Sequence, residues 1–109
     1  MKIHQWEIWK AKLPDFQQDH WFVVISGQER LDSPKFYQVN GLACYTLRGQ
    51  PLPTDVRLNA AEGFASPTIC QCDLVYLLDK RTLHDLVGTV SWERQQQIKG
   101  KVKEVLRFF

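Results

Sequence analysis

Five polar residues stand at the ends or in the middle of apolar runs of this 109-residue sequence, where folding can gather them. They are His20 before WFVVI, Thr46 and Arg48 after the run ending ACYT, and Gln71 and Asp73 inside PTICQCDLVYLLDK. A histidine that titrates near neutrality gives or takes a proton, a carboxylate orients it or acts as a base, and threonine and arginine hold a phosphate. The set therefore suits acid–base chemistry beside a bound phosphate. Three of them also have a plain structural reading: His20 as a loop residue, Arg48 as a solvated charge, Asp73 as a hydrogen-bonding group of the fold.

Other chemistries fit less well. Cys70, Cys72 and Asp73 stand close in sequence and His4, His20 and His84 are available, yet no second cysteine pair and no His-x-x-x-His spacing completes a zinc set. No metal or other cofactor is expected. A strand-buried thiol without a nearby cation makes a poor nucleophile, so the cysteines read as structural. There is no glycine-rich phosphate loop.

The stretch Pro67 to Lys80 organises the elements that must position these groups. Its nearly continuous apolar run, free of glycine, reads as a strand covered on both faces, either one long central strand or two strands meeting at a bulge near Asp73. A carboxylate buried there demands a partner from another segment. Before it, Trp6 to Leu13 alternates as a first strand stopped by Pro14, and Trp21 to Ile25 is a buried second strand pairing with it as a hairpin. Ser33-Pro34 offers an N-cap and first position for a brief helix or turn. Val39 to Thr46 is a third strand with Gly41 marking a bulge, Leu47 to Thr54 a Gly/Pro loop, and Asp55 to Leu58 a short strand. Asp79 to Leu83 begins a helical turn, and Gly88 to Ser91 is a short strand or connection.

From Ser91 the period changes. Ile98, Val102, Val105, Leu106 and Phe109 recur at spacings of three and four opposite a basic side, an amphipathic terminal helix with Ser91 as N-cap. Gly100 in its interior suggests close packing or a bend. The fold class is mainly β with α: one domain over residues 1–109, a small antiparallel barrel-like sheet of five to seven strands with a C-terminal helix.

Composition bounds the partners. The formal charge of +2 is mild, though residues 91–109 hold five Lys/Arg against two Asp/Glu. No run approaches a membrane span and the charged N-terminus is no signal peptide, so the expectation is a cytoplasmic protein without membrane contact. Four Trp, three Tyr and six Phe suit a well-filled core or a dimer interface.

Several segments carry a family resemblance. EIWKAKLP followed by HWFVVIS looks like a pair of strands in which "G-E-I-W-x-x-x-L" leads through a loop to an Arg-Pro and an aliphatic run, and ACYT is similar to a "V-P-x-T" segment. CQCDLVYLLDKRTL is similar to "C-D-Q-I-R-T-L-D-K-x-x-L", with Asp73, Asp79, Lys80 and Leu83 in register, and VGTVS matches "I-G-R-L-S". In this order and spacing, residues 4–109 resemble the MazF/PemK/Kid family of toxins. The resemblance implies a homodimeric, metal-independent endoribonuclease cleaving single-stranded RNA and neutralised by a cognate antitoxin. It places Thr46 on the phosphate and Asp73 as the strand carboxylate.

Three family arginines are missing, replaced by His20, Gln71 and Tyr76. Their loss removes permanently charged, bidentate phosphate contacts, and one lost charge-stabilising contact costs on the order of 10²-fold in rate. The leading expectation keeps catalysis, with His20 as acid–base group, Asp73 as its partner, and Thr46, Arg48 and Gln71 binding substrate. The alternative is a catalytically inactive, protein-binding member whose target is an antitoxin or, as for the related CcdB-like toxins, a topoisomerase. A third reading leaves the basic helix and aromatics to dimerisation alone.

Overall fold

The computed structural model describes residues 2–107. Six strands, β1 (Glu7–Ala11), β2 (His20–Val24), β3 (Gln38–Thr46), β4 (Asp55–Leu58), β5 (Thr68–Asp79) and β6 (His84–Thr89), form one antiparallel sheet in the order β4-β5-β3-β2-β1-β6. Two α-helices, α1 (Gln28–Asp32) and α2 (Trp92–Leu106), complete the fold with short 3₁₀ turns at Ala60–Glu62 and Lys80–Thr82. β4 and β6 are the edge strands and do not pair with each other, so the expected barrel is an open half-barrel.

The first two strands pair as the expected hairpin, Ile8 facing Val23 and Trp9 facing Phe22. Alternation along the strands then feeds two layers. Ile8, Val23, Leu42, Cys44 and Cys70 pack on one face, against Ile98 of α2. Trp9, Phe22, Val24, Val39 and Ala43 pack on the other, against Leu31 of α1, Ile3 and Leu83.

β5 is a single strand with an irregularity next to Asp73. Cys44 faces Cys70 and Leu42 faces Val75, so Ala43 alone opposes residues 71–74. The expected cover on both faces holds only for its first half. β4 pairs with residues 68–71 and then ends, and beyond it Leu74, Val75 and Leu77 are 48%, 37% and 56% exposed. Asp73 is exposed too, so water satisfies its carboxylate and no buried partner is required. Gly41, expected to mark a bulge, pairs regularly with Val24 and Tyr76; its missing side chain makes room for the methyl groups of buried Leu78.

The early helix lies before Ser33, not after it. Pro34 favours an extended residue ahead of it, and Ser33 is accordingly the extended C-cap of α1. Lys80 Nζ donates to the Leu31 and Ser33 carbonyls at 3.0 and 2.8 Å, satisfying acceptors that the helix end leaves open.

Ser91 is the N-cap residue of α2, but its hydroxyl makes no capping bond. Instead the buried Glu62 carboxylate accepts the Ser91 N–H at 3.3 Å and the Asn59 N–H at 2.8 Å, placing negative charge at the positive end of the helix. Ile98 is buried and Val102 packs beside it, whereas Leu106 is half exposed and Phe109 lies outside the described residues. Nothing lies within 4 Å of a side chain built at Gly100, so close packing does not call for that glycine. Among the described residues no helix is long and apolar enough to cross a membrane.

Candidate active site at the ends of β2 and β3

β2 begins at His20 and its antiparallel neighbour β3 ends at Thr46, with Trp21 facing Cys44 between them. Both termini therefore meet at one end of the sheet. Arg48 follows in the adjoining loop, and His20, Thr46 and Arg48 line one open cleft of about 550 Å³ together with Lys10, Asp19 and Trp21. The cleft thus combines an imidazole, a hydroxyl, two cations and one carboxylate. Sequence reasoning missed Lys10 and Asp19. The alternation of the first strand marks Lys10 only as polar, and it takes the register of Lys10 with Trp21, next to Ala11 with His20, to place it here.

The cleft wraps around the end of the sheet. His20 follows Phe22 and Val24 onto the α1-covered face, while Thr46 follows Leu42 and Cys44 onto the α2-covered one. The His20 ring stands edge-on to Phe16 and Tyr45, with centroids 4.6 and 5.5 Å away. Tyr76 joins this group, 5.7 Å from Phe16. Burial first, and then the hydrogen bond with Tyr76, push the Tyr45 phenol up to about 12. At a position where the resemblance calls for an arginine, Tyr76 therefore supplies an aromatic wall near His20 and no charge.

Gln71 and Asp73 do not line the cleft. Gln71 is half-buried opposite Asp55 of β4, and Asp73 is exposed in the bulge. The His–carboxylate contacts among the described residues are His4 with Glu7 and His84 with Asp19 and Asp85, so the expected His20–Asp73 pair is not made. All three cysteines are buried and free, as the structural reading expects. A hydrogen bond with Cys44, together with burial, holds the Cys70 thiol well above its ordinary value, and a bond with Cys70 and burial do the same for Cys72. Among the described residues no group of three His, Cys, Asp or Glu is arranged to hold a metal ion.

A larger cleft of about 810 Å³ lies near the opposite end of β3, beside Tyr37, Lys80 and Arg81. Its strongest cations are already engaged. Lys80 serves the α1 carbonyls, and Arg81 forms a two-point pair with Asp79 at 3.0 and 2.7 Å.

No family model and no curated protein matches the sequence. Solved structures do. An endoribonuclease in complex with its cognate antitoxin from a mycobacterial species is 16% identical over 98% of this chain and 95% of that one, with a TM-score of 0.79. The Mycobacterium tuberculosis toxin MazF-mt6 is 16% identical over 94% of this chain and 98% of that one, at 0.80. A MazE-MazF structure from Deinococcus radiodurans is 14% identical over 100% and 99%, at 0.78. At such identities the likeness carries architecture, and over nearly its whole length the chain has the fold of the MazF toxins.

Proposed function

We propose that this chain is a toxin-like endoribonuclease that cleaves single-stranded RNA without a metal, in the cytoplasm, as a homodimer held in check by a cognate antitoxin. One observation carries the reading. On a scaffold shared end to end with endoribonuclease toxins, His20, Thr46 and Arg48 meet in one cleft although 26 positions separate the first from the second.

In that cleft the chemistry is a transfer within the RNA backbone. The ribose 2′-oxygen gives up its proton and attacks the adjacent phosphorus, the bond to the 5′-oxygen breaks, and the leaving oxygen is protonated. The products are a 2′,3′-cyclic phosphate and a 5′-hydroxyl. His20 moves a proton as acid–base group, Thr46 orients the phosphate, and Arg48 and Lys10 stand against the charge that develops on its oxygens. The exposed apolar strip of Leu74, Val75 and Leu77 is the surface we assign to the second protomer.

The test is cleavage of single-stranded RNA in the presence of a chelator, with end analysis of the fragments. Fragments with 5′-hydroxyl ends are expected, and His20→Ala lowers the rate about 100-fold, as loss of an acid–base group does. Absence of product, or undiminished cleavage by His20→Ala, overturns the reading. One set of observations favours a second reading. Gln71 and Tyr76 bring no charge and Asp73 stands outside the cleft, as suits a non-catalytic member that binds a protein, either an antitoxin or a topoisomerase-like target. Growth arrest on expression with RNA left intact supports that one.

A further inference from the structure

The cleft needs a carboxylate, and the one it contains is Asp19. Asp19 immediately precedes His20, and its Oδ2 lies 3.0 Å from Nε2 of His84 on edge strand β6. The other ring nitrogen of His84, Nδ1, lies 3.0 Å from Oδ2 of Asp85. A neutral imidazole has one N–H, so both contacts are hydrogen bonds only when both nitrogens carry protons.

Local backbone supports the clamp. β1 pairs Trp9 with Leu86 and Lys10 with His84, so Asp85 is the extra residue of a bulge, held at φ +53°. Aspartate tolerates that left-handed conformation better than most residues, and here its side chain turns back onto the neighbouring ring. The bulge lies next to the register position of Lys10, a residue that lines the same cleft.

Resting on the ribonuclease reading above, we propose that Asp19 is the base that takes the 2′-hydroxyl proton, and that His84 and Asp85 are positioning residues that hold it in place. The remaining oxygen of Asp19, Oδ1, receives that proton. The new bond joins the 2′-oxygen to phosphorus, and His20 gives its proton to the departing 5′-oxygen. Asp19 thereby takes the part expected of Asp73.

The test uses the full chain and mixed-sequence single-stranded RNA under saturating conditions, with a 2′-O-methyl RNA as the uncleavable binding probe. Asp19→Asn keeps the shape of the side chain and loses the base. It is expected to lower kcat about 100-fold or more while binding of the 2′-O-methyl RNA stays within about twofold. His84→Ala is expected to lower kcat about 10-fold, and His84→Gln, which keeps a donor near Nε2, to regain most of that loss. A merely structural latch moves binding and kcat together and shows no rescue by Gln. If the wild type cleaves, His20→Ala is slowed about 100-fold, and Asp19→Asn matches the wild type, the assignment of Asp19 falls and the ribonuclease reading stands. If the wild type leaves RNA intact, both fall.

Discussion

Three glycines give the same substitution three different outcomes. At Gly88 a Cβ would run into the carbonyl oxygen of Glu62 and come within 2.9 Å of its carbonyl carbon. Both are backbone atoms of a turn whose own side chain anchors α2, so neither can move aside. At Gly41 the first obstacle is the tip of the Leu78 side chain, with Leu78 Cγ and the Val23 carbonyl at 3.3 Å. A leucine can rotate, at the cost of disturbing a core where it is fully buried. At Gly100 there is nothing within 4 Å, and the residue sits inside α2. Gly100→Ala should therefore stabilise by about 1 kcal/mol, the difference in helix propensity. Gly41→Ala should cost about 1–2 kcal/mol of overpacking, and Gly88→Ala about 3 kcal/mol or more. Urea unfolding at one fixed protein concentration reads all three, because a dimer would make stability concentration-dependent. With a slope of about 1.5 kcal/mol per molar, Gly88→Ala lowers the midpoint by about 2 M. A Gly88→Ala midpoint at or above that of Gly41→Ala refutes the packing described for the β6–Glu62 junction.

Four further outcomes follow from the same geometry. Glu62→Ala strands the Ser91 N–H at the start of α2 and the Asn59 N–H at the start of the Ala60–Glu62 turn and should cost about 3 kcal/mol, visible as a melting temperature lowered by roughly 13 °C. Leu77→Asp puts charge on the exposed apolar strip and should convert a dimer to monomers in sedimentation velocity without unfolding the chain. The Tyr45 phenol, raised in the fold to about 12, favours the folded state fully below the ordinary tyrosine value; that contribution is lost as pH rises through about 12. Tyr45→Phe should remove this alkaline limb from an unfolding-versus-pH profile. Asp79, held down to about 2 by the side chain and N–H of Arg81, acts at the other extreme: its exposed pair is complete above the ordinary carboxylate range and fades as pH falls through about 2. Asp79→Asn should differ from wild type less at pH 2 than at pH 5, by a small margin that salt reduces further.

What the sequence made legible was periodic. The run WFVVI, the alternation of β1 and the three-and-four spacing of α2 each carry their burial in their pattern, and the strand at Asp55–Leu58 lies where turn residues bracket it. Local chemistry with two competing solutions was harder. Ser33-Pro34 suits both a helix start and a helix stop, and the preceding QERLD settled it. Glycine in a strand suits both a bulge and a close contact, and at Gly41 the close contact with Leu78 prevailed. The convergence of His20, Thr46 and Arg48 followed from strand order, whereas Lys10, Asp19 and His84 depended on register and on a bulge in β6 that no residue type announces. Asp73 misled because an apolar run implied burial that the short β4 does not supply.

The four residues that β5 sets against Ala43 have the effect of a phase converter. Even-numbered side chains serve the α2 layer at Cys70 and still at Cys72 within the segment, and the α1 layer after it, at Tyr76 and Leu78. One continuous strand thereby supplies both cores. Losing a single residue from positions 71–74 would invert everything downstream, turning Leu78 to solvent and Leu77 inward, whereas losing two would preserve the parity. Length changes in this segment are then permissible only in even steps.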